Sequence, residues 1–295
     1  MKKWMILLGL VIGLVWNMQA QEKLSPFYGV TTTGGVNDLV QEISKKLEAS
    51  GFELIGTYDV ANNDQMQVLC FTSDELQKIT SSYSDRGALA AVFKIGVRKA
   101  EGNVELSLLN PNYMFYAYFG EDYKLQASAL GELDKQAKEI LSSYGKLISF
   151  GGELELDDLK EYHYKVMMPY FSDPIELEEY DSFQAGLSYI KEQIAQSGAD
   201  INLVYELVIP EKQMAVFGIG LADAEKGEAG FLPIIGERHI AAMPYEIILQ
   251  NKEATMLHGK FRFALYWPEL TMSEFMKIMS APGDVEDAME SITEK

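Results

Sequence analysis

The stretch IAAMPYEIILQNKEATMLHGKFRFALYWPEL, residues 240–270, decides the fold of this chain. It contains two runs rich in strand-forming residues with a short charged turn between them, and we predict two long neighbouring strands closed by Pro268. Phe261, Phe263 and Leu265 alternate with polar or small residues, which is typical of a strand with one buried and one solvent-exposed face. The stretch therefore predicts an antiparallel sheet that helices cover on one side.

A weaker version of the same outline, residues 90–111, ends the first half of the chain, and the two halves match along their length. Three residue pairs lie 147 positions apart: Val36 with Phe183, Gly51 with Gly198, and Tyr58 with Tyr205. Later pairs lie at larger offsets: Met66 with Met214 at 148, Ala90 with Ala241 at 151, and Pro111 with Pro268 at 157. The number of positions between matching residues therefore increases along the chain, and it increases in predicted loops. This is typical of a duplicated domain with loop insertions.

The repeat predicts an α+β fold of two repeated domains, each an antiparallel sheet covered by helices on one face. A helix is expected after the first strand of each domain, because apolar residues recur there at helical spacing. The predicted boundaries are residues 25–145 for the first domain, 146–173 for a connector and 174–295 for the second domain. The connector is rich in aromatic residues and methionine, so we expect it to be packed rather than flexible.

Residues 1–20 have the pattern of a secretory signal peptide. Lys2 and Lys3 precede a short apolar run, and Ala20 supplies the small residue before the cut. The run is too short for a membrane span of about 20 residues, so no span is expected in the mature chain. We therefore expect an exported protein, either periplasmic or secreted.

The acidic composition narrows the possible partners. The chain carries 25 Lys and Arg against 44 Asp and Glu, and its formal net charge is −19. Such a chain repels phosphate backbones, so we expect no nucleic-acid partner. Cys70 is the only cysteine, which leaves no partner for a disulfide within the chain, and we expect it to be a buried small hydrophobe.

Each half resembles the DUF302 family, a small α+β domain of unassigned biochemical role. The similarity rests on the order of the elements, on the strands QMQVLCF and QMAVFGIG, and on residues 240–270. Asn110-Pro111 and Trp267-Pro268 stand where a family strand typically ends in Asn-Pro or a similar pair. The resemblance covers most of the chain after residue 20 as two tandem copies, and it implies an α+β fold and an internal pseudo-dimer.

This resemblance implies no reaction, because a fold alone carries no mechanism. Many family members have an Asp-His pair after the first strand that follows the helix. Asp59-Val60 and Glu206-Leu207 occupy that point in the two halves of this chain. Chemistry that depends on that histidine is therefore not expected here.

Two of the three histidines are candidates for acid–base catalysis. His239 follows Glu237 at the mouth of the predicted strand pair, and His163 lies in EYHYKVMMPYF among tyrosines and methionines. Neither has a second histidine or a cysteine at ligand spacing, so we expect no metal site and no cofactor. The competing interpretations are core packing for His163 and an exposed loop for His239. His258 is expected in an exposed hairpin turn.

Two hypotheses of function remain open at this point. The first is a non-catalytic binding or interaction module, with a groove between the two duplicated domains that takes a small apolar ligand or a protein partner. Its candidate ligand-binding residues are Tyr164, Met168, Tyr170 and Tyr245. The second is an enzyme of unrecognised type that acts on a small molecule and uses His239 or His163 in the inter-domain cleft. An internal pseudo-dimer is compatible with a monomeric chain.

Overall fold

The computed structural model describes residues 22–165 and 168–295 of the chain. The predicted signal peptide, residues 1–20, lies outside the described residues. The described chain combines helices with two antiparallel sheets and a two-stranded ribbon, which confirms the predicted α+β class. Within these residues, no helix has the length and apolar character needed to cross a membrane.

The first half of the chain contains eight strands and five α-helices. They are β1 (Lys23–Leu24), β2 (Phe27–Thr32), α1 (Val36–Ala49), β3 (Glu53–Asp59), β4 (Met66–Thr72), α2 (Asp74–Thr80), β5 (Phe93–Ala100), β6 (Asn103–Leu109), α3 (Pro111–Phe119), α4 (Ala127–Ser142), β7 (Ile148–Phe150), β8 (Leu154–Glu155) and α5 (Leu156–Lys160).

The second half contains five strands and five α-helices among its described residues. They are β9 (Ile175–Glu179), α6 (Phe183–Gln196), β10 (Ile201–Ile209), β11 (Met214–Leu221), α7 (Glu228–Ile235), β12 (Tyr245–Gln250), β13 (Glu253–Met256), α8 (Gly259–Tyr266), α9 (Met272–Phe275) and α10 (Ala281–Glu290). Five short 3₁₀ segments interrupt the chain at Val60–Asn62, Gly87–Ala90, Gly120–Leu125, Pro210–Lys212 and Glu237–Ala242.

The two sheets have the same strand order. The first sheet runs β3-β4-β5-β6-β2-β7 and the second runs β10-β11-β12-β13-β9. Neighbouring strands are antiparallel in both sheets. Except for the extra edge strand β7, each strand of the first sheet therefore has a counterpart at the same place in the second.

The two faces of the first sheet contact different partners. The ring of Phe93 on β5 packs at 5.8 Å against an aromatic ring of α3, and α1 and α4 also pack on this sheet. Side chains alternate across a strand, and at the next position Lys94 pairs with Glu246 of the second sheet. A Cβ added to Gly96 would lie 2.6 Å from the side chain of Ile240. Helices therefore cover one face, and the second half of the chain covers the other.

The outer strands β3 and β10 contact each other at two bulges. The register of β3 against β4 shifts between Leu54 and Gly56, and the register of β10 against β11 shifts between Leu203 and Tyr205. A Cβ added to Gly56 would lie 2.2 Å from the carbonyl oxygen of Val204. No side chain fits in that gap, so glycine permits the two strands to approach.

The helix α8 occupies residues that we predicted as the second long strand, so that prediction is wrong. The preceding strand β13 is only 4 residues long and ends at Met256. Nearly every residue of α8 is buried, so a helical spacing of apolar residues is not visible in its sequence. The alternation of Phe261, Phe263 and Leu265 resembles a strand for that reason, although all three are buried in a helix.

The ends of α8 correct two further predictions. His258 is half-buried and lies at the start of a helix instead of in an exposed hairpin turn: its Nδ1 accepts a hydrogen bond from the backbone N–H of Lys260 at 3.2 Å and caps α8. Gly259 begins α8 as Pro111 begins α3, whereas Pro268 follows the end of α8. The sequence match of Pro111 with Pro268 is therefore wrong, and Gly259 is the structural counterpart of Pro111.

Candidate ligand-binding groove

An apolar groove of about 360 Å³ lies between the connector and the helices α8 and α9. Its lining residues are Tyr164, Lys165, Met168, Lys260, Phe263, Ala264, Trp267, Leu270, Met272 and Phe275. Small-molecule sites in proteins are concave, mostly apolar and about 300–1,000 Å³ in volume. The groove has the size and the composition of such a site.

Local sequence features fix the helices that form the groove. A Cβ added to Gly259, the first residue of α8, would lie 2.9 Å from Pro282, so only glycine allows this close contact with α10. The hydroxyl of Thr271 accepts from the N–H of Glu274 at 3.2 Å, and the Glu274 carboxylate accepts from the N–H of Thr271 at 2.9 Å. This reciprocal capping box holds the first turn of α9 at the rim of the groove.

Trp267 lines the groove with an aromatic surface. Its side chain is almost completely buried, and its ring centroid lies 5.5 Å from that of Phe263 and 5.6 Å from that of His239. Its Nε1 is buried and has no hydrogen-bond partner in the part of the chain that the structure describes. A buried donor without a partner costs about 1–3 kcal/mol. The aromatic wall of the groove therefore contains one unsatisfied donor.

Among the described residues, the only charged side chains that line the groove are Lys165 and Lys260. Both residues are exposed. The Nζ of Lys165 lies 4.9 Å from the ring centroid of Tyr164, close enough for a cation–π interaction. The groove thus carries local positive charge on a chain whose net charge is −19.

The four predicted ligand-binding residues lie in different places. Tyr164 and Met168 line the groove. Tyr170 is exposed and its ring lies 4.4 Å from that of His163, away from the groove lining. Tyr245 is buried, with its ring 3.8 Å from the guanidinium carbon of Arg262. The structure therefore brings together two of the four predicted residues.

His239 lies behind the groove in an aromatic cluster. Its ring centroid is 5.0 Å from that of Phe27 and 5.5 Å from that of Phe150, and on its other side is Trp267. Burial lowers the pKa of His239 from 6.5 to about 4, so its ring is neutral at pH 7. The side chain is packed, in contrast to the exposed loop residue that was the competing interpretation.

His163 lines a second, more polar cavity of about 390 Å³ together with Asp157, Asp158 and Glu161. Its Nδ1 lies 3.2 Å from the backbone carbonyl oxygen of Glu161. Nowhere in residues 22–165 and 168–295 do three or more His, Cys, Asp or Glu side chains form a group that could hold a metal ion. The two candidate histidines therefore lie in separate environments, and neither lines the apolar groove.

Most of the groove was missed by sequence reasoning, because its second wall is formed by α8 and α9. One signal was present in the sequence after α8. Met272, Met276 and Met279 recur at helical spacing, and all three side chains are more than half exposed. Methionine surfaces adapt readily to ligands, and exposed methionines in close succession are an unusual use of apolar residues. Of these three, Met272 lines the groove.

The interface between the two halves is filled by buried charges rather than open to a ligand. Lys94 and Glu246 form an ion pair, and Arg262 lies 3.7 Å from the same carboxylate. Arg262 also donates to the backbone carbonyl oxygens of Ala242 and Pro244. All three charged side chains are nearly inaccessible to solvent. The groove therefore lies beside this interface, between the connector and the second half.

Glu228, on α7, also connects the two halves. Its carboxylate accepts hydrogen bonds from the Tyr58 hydroxyl at 2.9 Å and the Ala61 N–H at 2.9 Å, both in the first half. It accepts a third, longer bond from the N–H of Leu221 at 3.4 Å. Burial raises the pKa of Glu228 from 4.5 to about 7, although these hydrogen bonds act in the opposite direction.

Comparison with known proteins finds similarity among solved structures. No family model matches the chain, and none of the curated proteins matches it. Among solved structures, the chain is similar to one described as an uncharacterized conserved protein DUF302 from Bacillus stearothermophilus. The two are 13% identical, the similar region covers 40% of this chain and 98% of that chain, and the TM-score is 0.36.

Proposed function

We propose that this protein is a non-catalytic binding module that holds a small, mainly apolar molecule in the groove between the connector and α8. The observation that carries the proposal is the groove itself, whose walls are aromatic and aliphatic apart from two lysines. Burial of apolar ligand surface in such a site contributes about 25 cal/mol per Å² removed from water. Neither candidate histidine lies in this groove, so its composition favours binding over acid–base chemistry.

We also infer that the two halves are copies of one DUF302-like domain, arranged as an internal pseudo-dimer. In a two-fold dimer, a residue near the axis meets its own copy. Tyr118 and Tyr266 are counterparts on α3 and α8, 148 positions apart, and their hydroxyl oxygens lie 2.6 Å from each other. Lys94 and Glu246, on the counterpart strands β5 and β12, form an ion pair across the same interface. The equal strand order of the two sheets supports the same inference.

The proposal places this module outside the cytoplasm. It rests on the basic, apolar and small-residue pattern of residues 1–20, which is typical of a signal peptide. The domains would then be residues 25–145 and 174–295, with residues 146–173 as the connector that forms one wall of the groove.

The two halves differ at the groove in a way that favours binding on one side. Ala264 lines the groove, and its counterpart on α3 is Tyr116. The ring of Tyr116 stacks on that of Tyr123 at 3.8 Å and occupies the equivalent surface of the first half. A small residue thus leaves space in the second half where two aromatic rings fill it in the first.

The test is to fill this space with the side chain of the first half. We expect the uncharged fluorescent probe N-phenyl-1-naphthylamine to bind the full chain saturably, with increased emission. The substitution Ala264→Tyr should weaken that binding at least tenfold, because the added ring occupies the volume that the probe needs.

The matched control is Ala185→Tyr, the same change at an exposed position of α6. It should bind the probe as the unaltered chain does, and circular dichroism should show the same fold for both variants. Equal probe binding by Ala264→Tyr and the unaltered chain would show that the groove is not the binding site.

A further inference from the structure

We propose that the natural ligand of the groove is an amphiphile with a single small anionic head group, such as a carboxylate or sulfonate, held by Lys165 and Lys260. This inference rests on the proposed binding function and names the chemical class of the ligand. Its starting point is the contrast between the walls of the groove, which are apolar, and its two charges, which are both positive.

The two lysines are available to a ligand. Among the described residues, neither Lys165 nor Lys260 forms an ion pair with a carboxylate, whereas lysines elsewhere, such as Lys138 with Asp134, do so. Residues 1–21 and 166–167 contain no Asp or Glu, so their sequence supplies no carboxylate partner either. An ammonium group without a protein counter-ion can form a charge-assisted hydrogen bond with an anionic ligand, which is stronger than a bond between neutral groups.

The apolar walls strengthen this charge recognition. A ligand whose apolar part fills the groove displaces water from Tyr164, Met168 and Met272, lining residues that are exposed or half-buried, and the effective dielectric constant near the lysines falls. The same two charges on an open surface would contribute little, because water and salt would screen them. The groove therefore recognises an anion only when an apolar tail accompanies it.

The overall charge of the chain limits the size of the anion. A net charge of −19 repels polyanions at long range, and two lysines cannot offset the charges of a nucleic acid or an anionic membrane. One negative charge on a small molecule is attracted by the local pair of ammonium groups at contact distance. The charge distribution thus favours a soluble monoanionic amphiphile over an extended polyanion.

Two fluorescent probes separate this inference from the function on which it rests. N-phenyl-1-naphthylamine is neutral, and 8-anilinonaphthalene-1-sulfonate has the same aromatic skeleton with one sulfonate. The double variant Lys165→Gln/Lys260→Gln should bind the anionic probe about tenfold more weakly than the unaltered chain, since each contact contributes a factor of a few. Its affinity for the neutral probe should stay within about twofold.

The matched control is Lys212→Gln. Lys212 is exposed, lies at the end of a 3₁₀ segment and is separated by more than 40 positions in the sequence from both lysines of the groove. It should leave the affinity for both probes unchanged. Decanoate should displace the neutral probe from the unaltered chain, and this displacement should weaken in the double variant.

Each outcome of the experiment has a distinct meaning. Equal binding of the anionic probe by the double variant and the unaltered chain overturns the anionic head group but leaves the groove as a binding site for neutral molecules. Failure of both probes to bind the unaltered chain overturns the proposed function as well. Loss of the anionic probe in the Lys212→Gln control would show that surface charge, and not the groove, determines its binding.

Discussion

The substitution Glu228→Gln tests how the buried charge between the two halves affects stability. Glu228 is 1% exposed, and burial raises the pKa of its carboxyl from 4.5 to about 7. A shift of one pKa unit corresponds to about 1.4 kcal/mol, so this group changes the free energy of unfolding by about 3 kcal/mol over its titration range. Because the pKa is raised in the folded state, the contribution is fully present below pH 4.5 and is lost as the pH rises through about 7.

Glutamine does not titrate, so the variant should not show this loss. Relative to the unaltered chain, we expect the free energy of unfolding of Glu228→Gln to improve by about 3 kcal/mol between pH 4.5 and pH 8. The hydroxyl of Tyr58, which donates to this carboxylate, does not titrate in the same range, because burial holds its pKa well above 10.

The measurement is urea unfolding followed by far-ultraviolet circular dichroism at four pH values between 4.5 and 8, at constant ionic strength. Glu211→Gln, at an exposed position of a 3₁₀ segment, is the control and should differ from the unaltered chain by the same amount at every pH. A difference between Glu228→Gln and the unaltered chain that varies by less than about 1 kcal/mol over this range would refute the reasoning.

Two further predictions concern the contact between the halves. Gly56→Ala should lower the free energy of unfolding by about 3 kcal/mol, because its Cβ would lie 2.2 Å from a backbone oxygen of β10. The control is Gly131→Ala, in α4 with open space around it, which should instead raise the free energy of unfolding by about 0.5–1 kcal/mol. Urea unfolding of both variants measures the two changes, and similar changes in the free energy of unfolding would contradict the close approach of β3 and β10. In a double-mutant cycle of Tyr118→Phe and Tyr266→Phe, the hydroxyl pair should give a coupling energy of about 1 kcal/mol, and additive losses would show that the two hydroxyls do not interact.

The elements that the sequence predicted best are those with one buried and one exposed face. The helix α1 was predicted from five apolar residues at helical spacing; it buries Val36, Leu39, Ile43 and Leu47, leaves Val40 half-buried, and its other positions are largely exposed. The hydroxyl of Ser182 accepts a hydrogen bond from the backbone N–H of Ala185, the third residue of α6, and caps this helix in the way typical of serine. In such elements the order of apolar and polar residues shows directly which side chains face the core and which face the solvent.

The helix α8 shows why the rest could not be predicted in this way. It is enclosed by the second sheet, α10 and the first half, so even Arg262 is buried and no polar face reveals the helical period. What makes this segment helical is tertiary packing, such as the contact of Gly259 with Pro282 and the bond from Arg262 to the carbonyl oxygen of Pro244. Contacts between residues far apart in the sequence leave no local pattern in it.

Only the connector wall of the groove was predictable from the sequence. Tyr164 and Met168 belong to a segment whose aromatic and methionine content predicted packing, and both line the groove. Their opposite wall, formed by Phe263, Ala264 and Trp267, could be assigned only after α8 was known to be a helix, since Trp267 lies four positions after Phe263 and three after Ala264, and residues at these spacings lie on one helix face.

The two halves are complementary where they contact each other and differ where the groove lies. Counterparts such as Tyr118 and Tyr266 meet across the interface, so a change on one side must be accommodated by the other. This requirement does not apply to the groove, because Ala264 lines it where the first half has Tyr116, and the connector that forms its other wall has no counterpart in the first half. Under the duplication and the binding function that we propose, the interface stays fixed while one copy alone changes into a binding site, and a ligand that fits the groove of the second half should find no equivalent site in the first.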